Sequence, residues 1–158
     1  MNNLVKKLGF ERIPPEKKYY SAVPGLLNRI KNLYENICDI YGDDGLELIR
    51  KNSKEYGLQI GKRINSKGEV KGIRDVGCFI LKVFDNVAEN WEVTHFDDDR
   101  LVIEVPRCPY TFESEALCKA HIQMEKSLIE TLDDSLDYRV GKSIPAGDRV
   151  CEHILLRK

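Results

Sequence analysis

On a helical projection of residues 114–132, Leu117, His121, Leu128 and Leu132 share one face, with Cys118, Glu125 and Ile129 beside them. An imidazole and a carboxyl within an apolar stripe are costly to bury unless other groups satisfy them. Polar partners must therefore meet this helix from the facing elements. Cys108 precedes Pro109 in the loop leading in, and Cys151 lies on the last expected strand, two residues from His153 and on the same face. Cys118 and His121 stand about one turn apart and can grip one ion together. Three thiolates and an imidazole suit a closed tetrahedral zinc site, so Cys108, Cys118, His121 and Cys151 are the expected ligands, with Glu125 orienting His121. His153 or Glu115 could replace one of them. No CxxC pair is present. The same residues also read as small buried thiols and a hydrogen-bonded core histidine.

The elements that would position these residues follow from periodicity. Pro14-Pro15 argues against a regular helix at the start, and residues 1–22 are read as an arm leading into one domain, 23–158. From Pro24, Leu26, Leu27, Ile30, Leu33, Tyr34, Ile37 and Ile40 recur at helical spacing up to Gly42, a suitable cap. A second helix, capped by Asp43 or Asp44, carries Leu46, Ile49, Tyr56, Ile60 and Ile64 on its inner face. Gly57 and Gly61 within it mark either close helix packing or space for a ligand. A third helix carries Val76, Phe79, Ile80, Val83, Phe84 and Val87. Cys38 flanks the inner face of the first helix and reads as packing, while Cys78 lies opposite the apolar face of the third, exposed or in an oligomer contact. The period then falls to two. Trp91, Val93 and His95 alternate with Glu92, Thr94 and Phe96, a solvated turn follows at 97–99, and Arg100 to Val105 returns as a hairpin. After the 114–132 helix a second hairpin runs from Tyr138 to Ile144 and Arg149 to Leu156. The fold class is α+β: helices packed on an antiparallel sheet, enclosing an apolar cavity.

The chain has 158 residues, 42% of them hydrophobic, which suits one well-buried core. Its 25 basic and 26 acidic side chains cancel, so no basic field draws in nucleic acid or anionic lipid. The opening residues carry no signal-type apolar run, and no apolar span of about 20 residues occurs, so a cytoplasmic protein without membrane insertion is expected. Five cysteines, an odd number, then read as reduced thiols.

The stretch RCPYTFESEALCKAH, followed by IPAGDRVCEHI, resembles the 4-vinyl-reductase domain family of hydrocarbon-binding proteins, with a Cys-Pro after a hairpin, a helix, a strand, a Gly-Asp turn and a late cysteine. The match is best over residues 107–156. GLELIRKNSKEYGLQIGKRI is similar to the family's amino-terminal helices. The resemblance implies the ligand-binding fold shared with heme nitric-oxide-binding domains and Golgi transport-particle subunits, a homodimer, and a zinc near the cavity. The aromatic-sensing relatives have a glutamate and a cysteine where Val140 and Ser143 stand here; Cys108 and Cys151 match the motif, and Cys118 and His121 would replace the missing pair. No heme histidine pattern is found, and His95 reads as a surface or satisfied residue.

The resulting expectation is a dimeric binding module for a small hydrocarbon or aromatic molecule, possessing structural zinc, with Phe79, Val83 and Trp91 among the cavity walls. Cys78 and Leu81 are placed toward the dimer contact. The alternative is an enzyme: a cysteine-dependent hydrolase with Cys118 as nucleophile and His121 as base, or a protein like the tetrapyrrole vinyl reductase. A scaffold subunit holding an acyl chain is a third reading.

Overall fold

The computed structural model describes residues 14–88 and 90–158. Residues 1–13 of the expected arm lie outside them. The first element is α1 (Pro15–Asn65), so the proline pair starts a helix where none was expected. Proline is well tolerated at the first helical position, because the amide it lacks has no intrahelical partner there. At Gly42 the helix breaks, with φ 56° and ψ −129°, and the two helical segments read from the sequence meet at this kink.

The second segment turns a narrow face inward. Gly45, Ile49, Ser53, Gly57 and Gly61 are buried at a spacing of four, whereas Tyr56, expected on the inner face, is 54% exposed. A Cβ at Gly57 would overlap the Met124 carbonyl and Ser127 Oγ, and one at Gly61 would stand 2.6 Å from Thr131 Cβ. Both glycines therefore serve close packing of α1 on a later helix.

α2 (Gly72–Val87) buries Ile73, Val76, Gly77, Ile80 and Phe84. β1 (Glu92–Phe96) and β2 (Arg100–Val105) form the first hairpin, with a bulge between Val93 and His95. Asp97 closes its turn by accepting from the amides of Asp99 at 2.9 Å and Arg100 at 2.7 Å. The helix expected over 114–132 is bent in two: α3 (Glu115–His121), capped by Ser114 Oγ on the Leu117 amide at 3.3 Å, and α4 (Gln123–Leu132), with Ile122 as the joint. β3 (Leu136–Val140), a single turn of 3₁₀ helix (Ile144–Ala146) and β4 (Cys151–Arg157) complete the chain.

The sheet is antiparallel in the order β1-β2-β4-β3, so the last strand lies between two strands formed earlier. α2 and α4 pack on it, joining Val76, Ile80, Ile129 and Leu132 to Ile103, Leu136 and Leu155 in one core. α1 lies on α3 and α4, where Ile49, Phe112, Leu117 and Ala120 make a smaller core. Among the described residues no helix is long and apolar enough to cross a membrane.

Candidate functional site

The two cores meet at a narrow pocket. Its walls come from the end of α2 (Val83, Phe84, Val87), the loop after β2 (Cys108, Tyr110, Phe112), the α3–α4 bend (Cys118, His121, Ile122, Glu125) and β4 (Cys151, His153). Its free space is about 70 Å³. All four expected metal ligands and Glu125 thus reach one place from loop, helix and strand. Val83 lines it too. Phe79 and Trp91 do not; they are part-buried and pack against the main core.

The loop that delivers Cys108 is shaped at Thr111, whose φ of 51° is the only positive value on a non-glycine residue among those described. A β-branched residue is strained in that region. The strained turn sets Tyr110 and Phe112 nearly parallel, centroids 5.3 Å apart, and both against the His121 ring at 4.3 and 5.3 Å. Tyr34 of α1 approaches the same imidazole at 5.9 Å. His121 is 6% exposed, and neither ring nitrogen has a hydrogen-bond partner. Burial lowers its pKa to about 4, so the ring is neutral near pH 7.

Glu125 follows one turn later. The residue as a whole is part-buried, its Oε2 is buried without a partner, and burial raises the carboxyl pKa to about 7. No hydrogen bond joins it to His121. The third polar group is His153, whose Nδ1 lies 2.6 Å from the buried Tyr138 hydroxyl, with the Phe84 ring 4.7 Å from its own. Burial lowers its pKa to about 4 as well.

The thiols sit in the same apolar surroundings. Burial raises the Cys118 pKa to about 11, outweighing the Ser143 hydroxyl beside it, and raises that of Cys151, whose sulfur accepts the Ile144 amide at 3.4 Å. These are protonated thiols, the reverse of what an activated nucleophile requires. All five cysteines are free. Cys38 packs against the smaller core and Cys78 is exposed, while His95 lies at the surface with Nε2 2.7 Å from Asp97 Oδ2.

The donor set is chemically suited to zinc, and an unpartnered imidazole is what a metal would satisfy. Among the described residues, however, no three His, Cys, Asp or Glu side chains are gathered closely enough to hold an ion.

Tyr110, Phe112 and Tyr138 were not singled out in the sequence, and His153 only as a substitute ligand. The spacing of Tyr110 and Phe112, two aromatics flanking one loop residue, is the signal that could have placed a ring cage beside His121.

No protein-family model and no curated protein matches the chain, so the resemblance to the 4-vinyl-reductase family rests on the motifs alone. Solved structures do match. One is a trafficking protein particle complex subunit 3 from Naegleria fowleri covalently bound to palmitic acid, with 16% identity, a TM-score of 0.62, and 87% of this chain and 95% of that chain covered. Another is the phenol-responsive sensory domain of the transcription activator PoxR with phenol, with 10% identity, a TM-score of 0.58, and 83% of this chain and 74% of that one covered. At these identities the shared property is the fold.

Proposed function

We propose that this chain is a binding module for a small apolar molecule, held at the junction of α2, the α3–α4 bend and β4. The observation that carries the reading is that both His121 ring nitrogens and Glu125 Oε2 are buried without partners in a pocket lined mainly by apolar side chains and thiols, with His153 held by Tyr138. Such groups are costly to bury, and a ligand bearing one polar atom would satisfy them. The trafficking-particle subunit of similar fold is covalently bound to palmitic acid and the PoxR sensory domain holds phenol, both largely apolar. A cavity known to admit benzene measures about 150 Å³, so 70 Å³ must widen for an aromatic guest.

Native mass spectrometry for a retained ligand, with thermal shifts against phenols and fatty acids, tests this. Stabilisation should rise with ligand concentration as RT ln(1 + [L]/Kd). Val83→Phe, which fills the pocket, should suppress the shift while the protein stays folded. No retained mass and no shift across the panel would refute the reading.

Zinc held by Cys108, Cys118, His121 and Cys151 belongs to the same proposal, supported by the convergence of these donors on one pocket. Bound there, the ion would tie the loop, α3 and β4 together, which requires the thiols to turn toward His121. Protein purified without added metal should then contain about one zinc per chain, and Cys151→Ser should lower both metal content and melting temperature. Metal-free protein with three freely titrating thiols at this pocket would exclude it. The hydrolase alternative lacks an activated nucleophile, since Cys118 is held protonated by burial and His121 makes no hydrogen bond.

A further inference from the structure

His153 enters the pocket from β4 with one of its two ring nitrogens already engaged. In the β3–β4 register Tyr138 pairs with Leu155, so His153, two residues earlier on β4, is its diagonal neighbour on the same face of the sheet. At that spacing the Tyr138 hydroxyl lies 2.6 Å from His153 Nδ1, with the ring centroids 6.0 Å apart. From α2 the Phe84 ring packs on the imidazole at 4.7 Å. The ring of His153 is thus held by β3 on one side and α2 on another, and it cannot turn over without breaking the bond to Tyr138.

The burial of Tyr138 decides where the imidazole hydrogen lies. Tyr138 is 2% exposed, and His153 Nδ1 is the only hydrogen-bond partner of its hydroxyl among the described residues. If Nδ1 carried the hydrogen and donated it, the hydroxyl hydrogen would be left in the core without an acceptor, which is costly. The hydroxyl therefore donates to a bare Nδ1, and the single hydrogen of a neutral imidazole sits on Nε2. Among the described residues Nε2 is neither bonded nor sealed off, unlike the two nitrogens of His121.

We propose that His153 is the residue that selects the ligand: its Nε2–H, held in place by Tyr138, donates to an acceptor oxygen on an otherwise apolar molecule. The proposal rests on the binding-module reading above and narrows it to compounds with a hydroxyl, carbonyl or ether oxygen. A hydrocarbon of the same shape would take water from the donor and leave it unbonded, so the pocket discriminates against it. Because Tyr138 and Phe84 fix the ring before any ligand arrives, little further ordering is needed on binding. The same tautomer removes His153 from the metal ligands considered for this pocket, since an ion would need the lone pair of Nε2.

Long-range proton–nitrogen NMR spectra of the full chain at neutral pH should show His153 as the Nε2–H tautomer, and Tyr138→Phe should turn it into a mixture of the two. Titration with phenol and with toluene, which are close in size, reads the selection. Wild type should bind phenol at least about tenfold more tightly, although toluene is the more apolar of the two. Tyr138→Phe with His153→Phe removes the donor and the hydroxyl together and keeps both rings, so the double variant should stay folded, still bind toluene and lose the preference for phenol. His153→Gln, whose amide can accept from Tyr138 and still donate to the ligand, should retain the preference. An Nδ1–H tautomer in wild type overturns the proposal, and so does a phenol preference that survives in the double variant. Toluene bound by wild type as tightly as phenol overturns the proposal alone, whereas binding of neither probe overturns the binding module and the proposal with it.

Discussion

Gly57→Ala should cost at least about 3 kcal/mol of folding stability and lower the melting temperature by about 10 °C, an effect large for a single methyl group. The added Cβ has no free volume: it would overlap the Met124 carbonyl and Ser127 Oγ, both fixed within α4. The helices must then separate along their contact, and the bond from Ser127 Oγ to the Lys54 carbonyl, 2.8 Å long, breaks with them. Gly25→Ala provides the control. Gly25 is helical, and a methyl group placed on its Cα would have nothing within 4 Å, so alanine there should stabilise the chain by up to about 1 kcal/mol through helix propensity alone. Thermal melts of the two variants beside the wild type decide the matter. Equal stability for Gly57→Ala and wild type would mean that α1 and α4 do not cross at this distance.

The second large effect concerns pH. His121 and His153 are buried neutral, with pKa values lowered from 6.5 to about 4. Below pH 6.5 the unfolded chain takes up protons that the folded one refuses, so their contribution is present above 6.5 and lost as pH falls toward 4. Each accounts for about 3 kcal/mol over that interval. Glu125 works in the opposite sense. Its carboxyl pKa is raised from 4.5 to about 7, so stability is greatest below 4.5 and is lost as pH rises through 7. Two histidines outweigh one glutamate between 4.5 and 6.5, so stability should rise from pH 4 to about 6.5, then fall by less than about 1 kcal/mol and level off above 7. Glu125→Gln removes the alkaline loss. Chemical denaturation in the presence of chelator should show this variant more stable than wild type by about 3 kcal/mol at pH 8 and nearly equal at pH 4. Equal stability of Glu125→Gln and wild type at pH 8 would show that Glu125 finds a partner in solution.

The parts of this architecture governed by local periodicity were legible from the residues. The apolar repeat of α1, its interruption at Gly42, the stripe on α2 and the alternation from Trp91 to Val105 each lead directly to the observed element. Pro15 misled because a proline pair stops a helix in its interior and starts one at its edge. Tyr56 misled because hydrophobicity was taken to decide which face packs; on this helix smallness decided, and Ser53, Gly57 and Gly61 went inside while the tyrosine stayed out. The convergence of Cys108, Cys118, His121 and Cys151 on one pocket was readable from polar residues set in an apolar face. The surroundings of His121 were not, since the ring cage depends on a turn at Thr111, and the Tyr138–His153 bond depends on a strand register that places Val140 opposite His153. Both are products of tertiary geometry rather than of spacing along the chain.

The strand order has a consequence for how the molecule comes to be folded. β4 is made after the other three strands of the sheet, yet it separates β2 from β3 and contributes Cys151 and Leu155 to the core. Until it arrives, the first hairpin has no neighbour on its inner edge, β3 has no partner at all, and α2 and α4 have no continuous floor on which to settle. Sheet formation must wait for contacts between segments some 50 residues apart, and loop closure over such distances makes folding slow. Before β4 is made, the chain accordingly carries unpaired strand edges on β2 and β3 and an uncovered apolar helix face, the surfaces that chaperones bind.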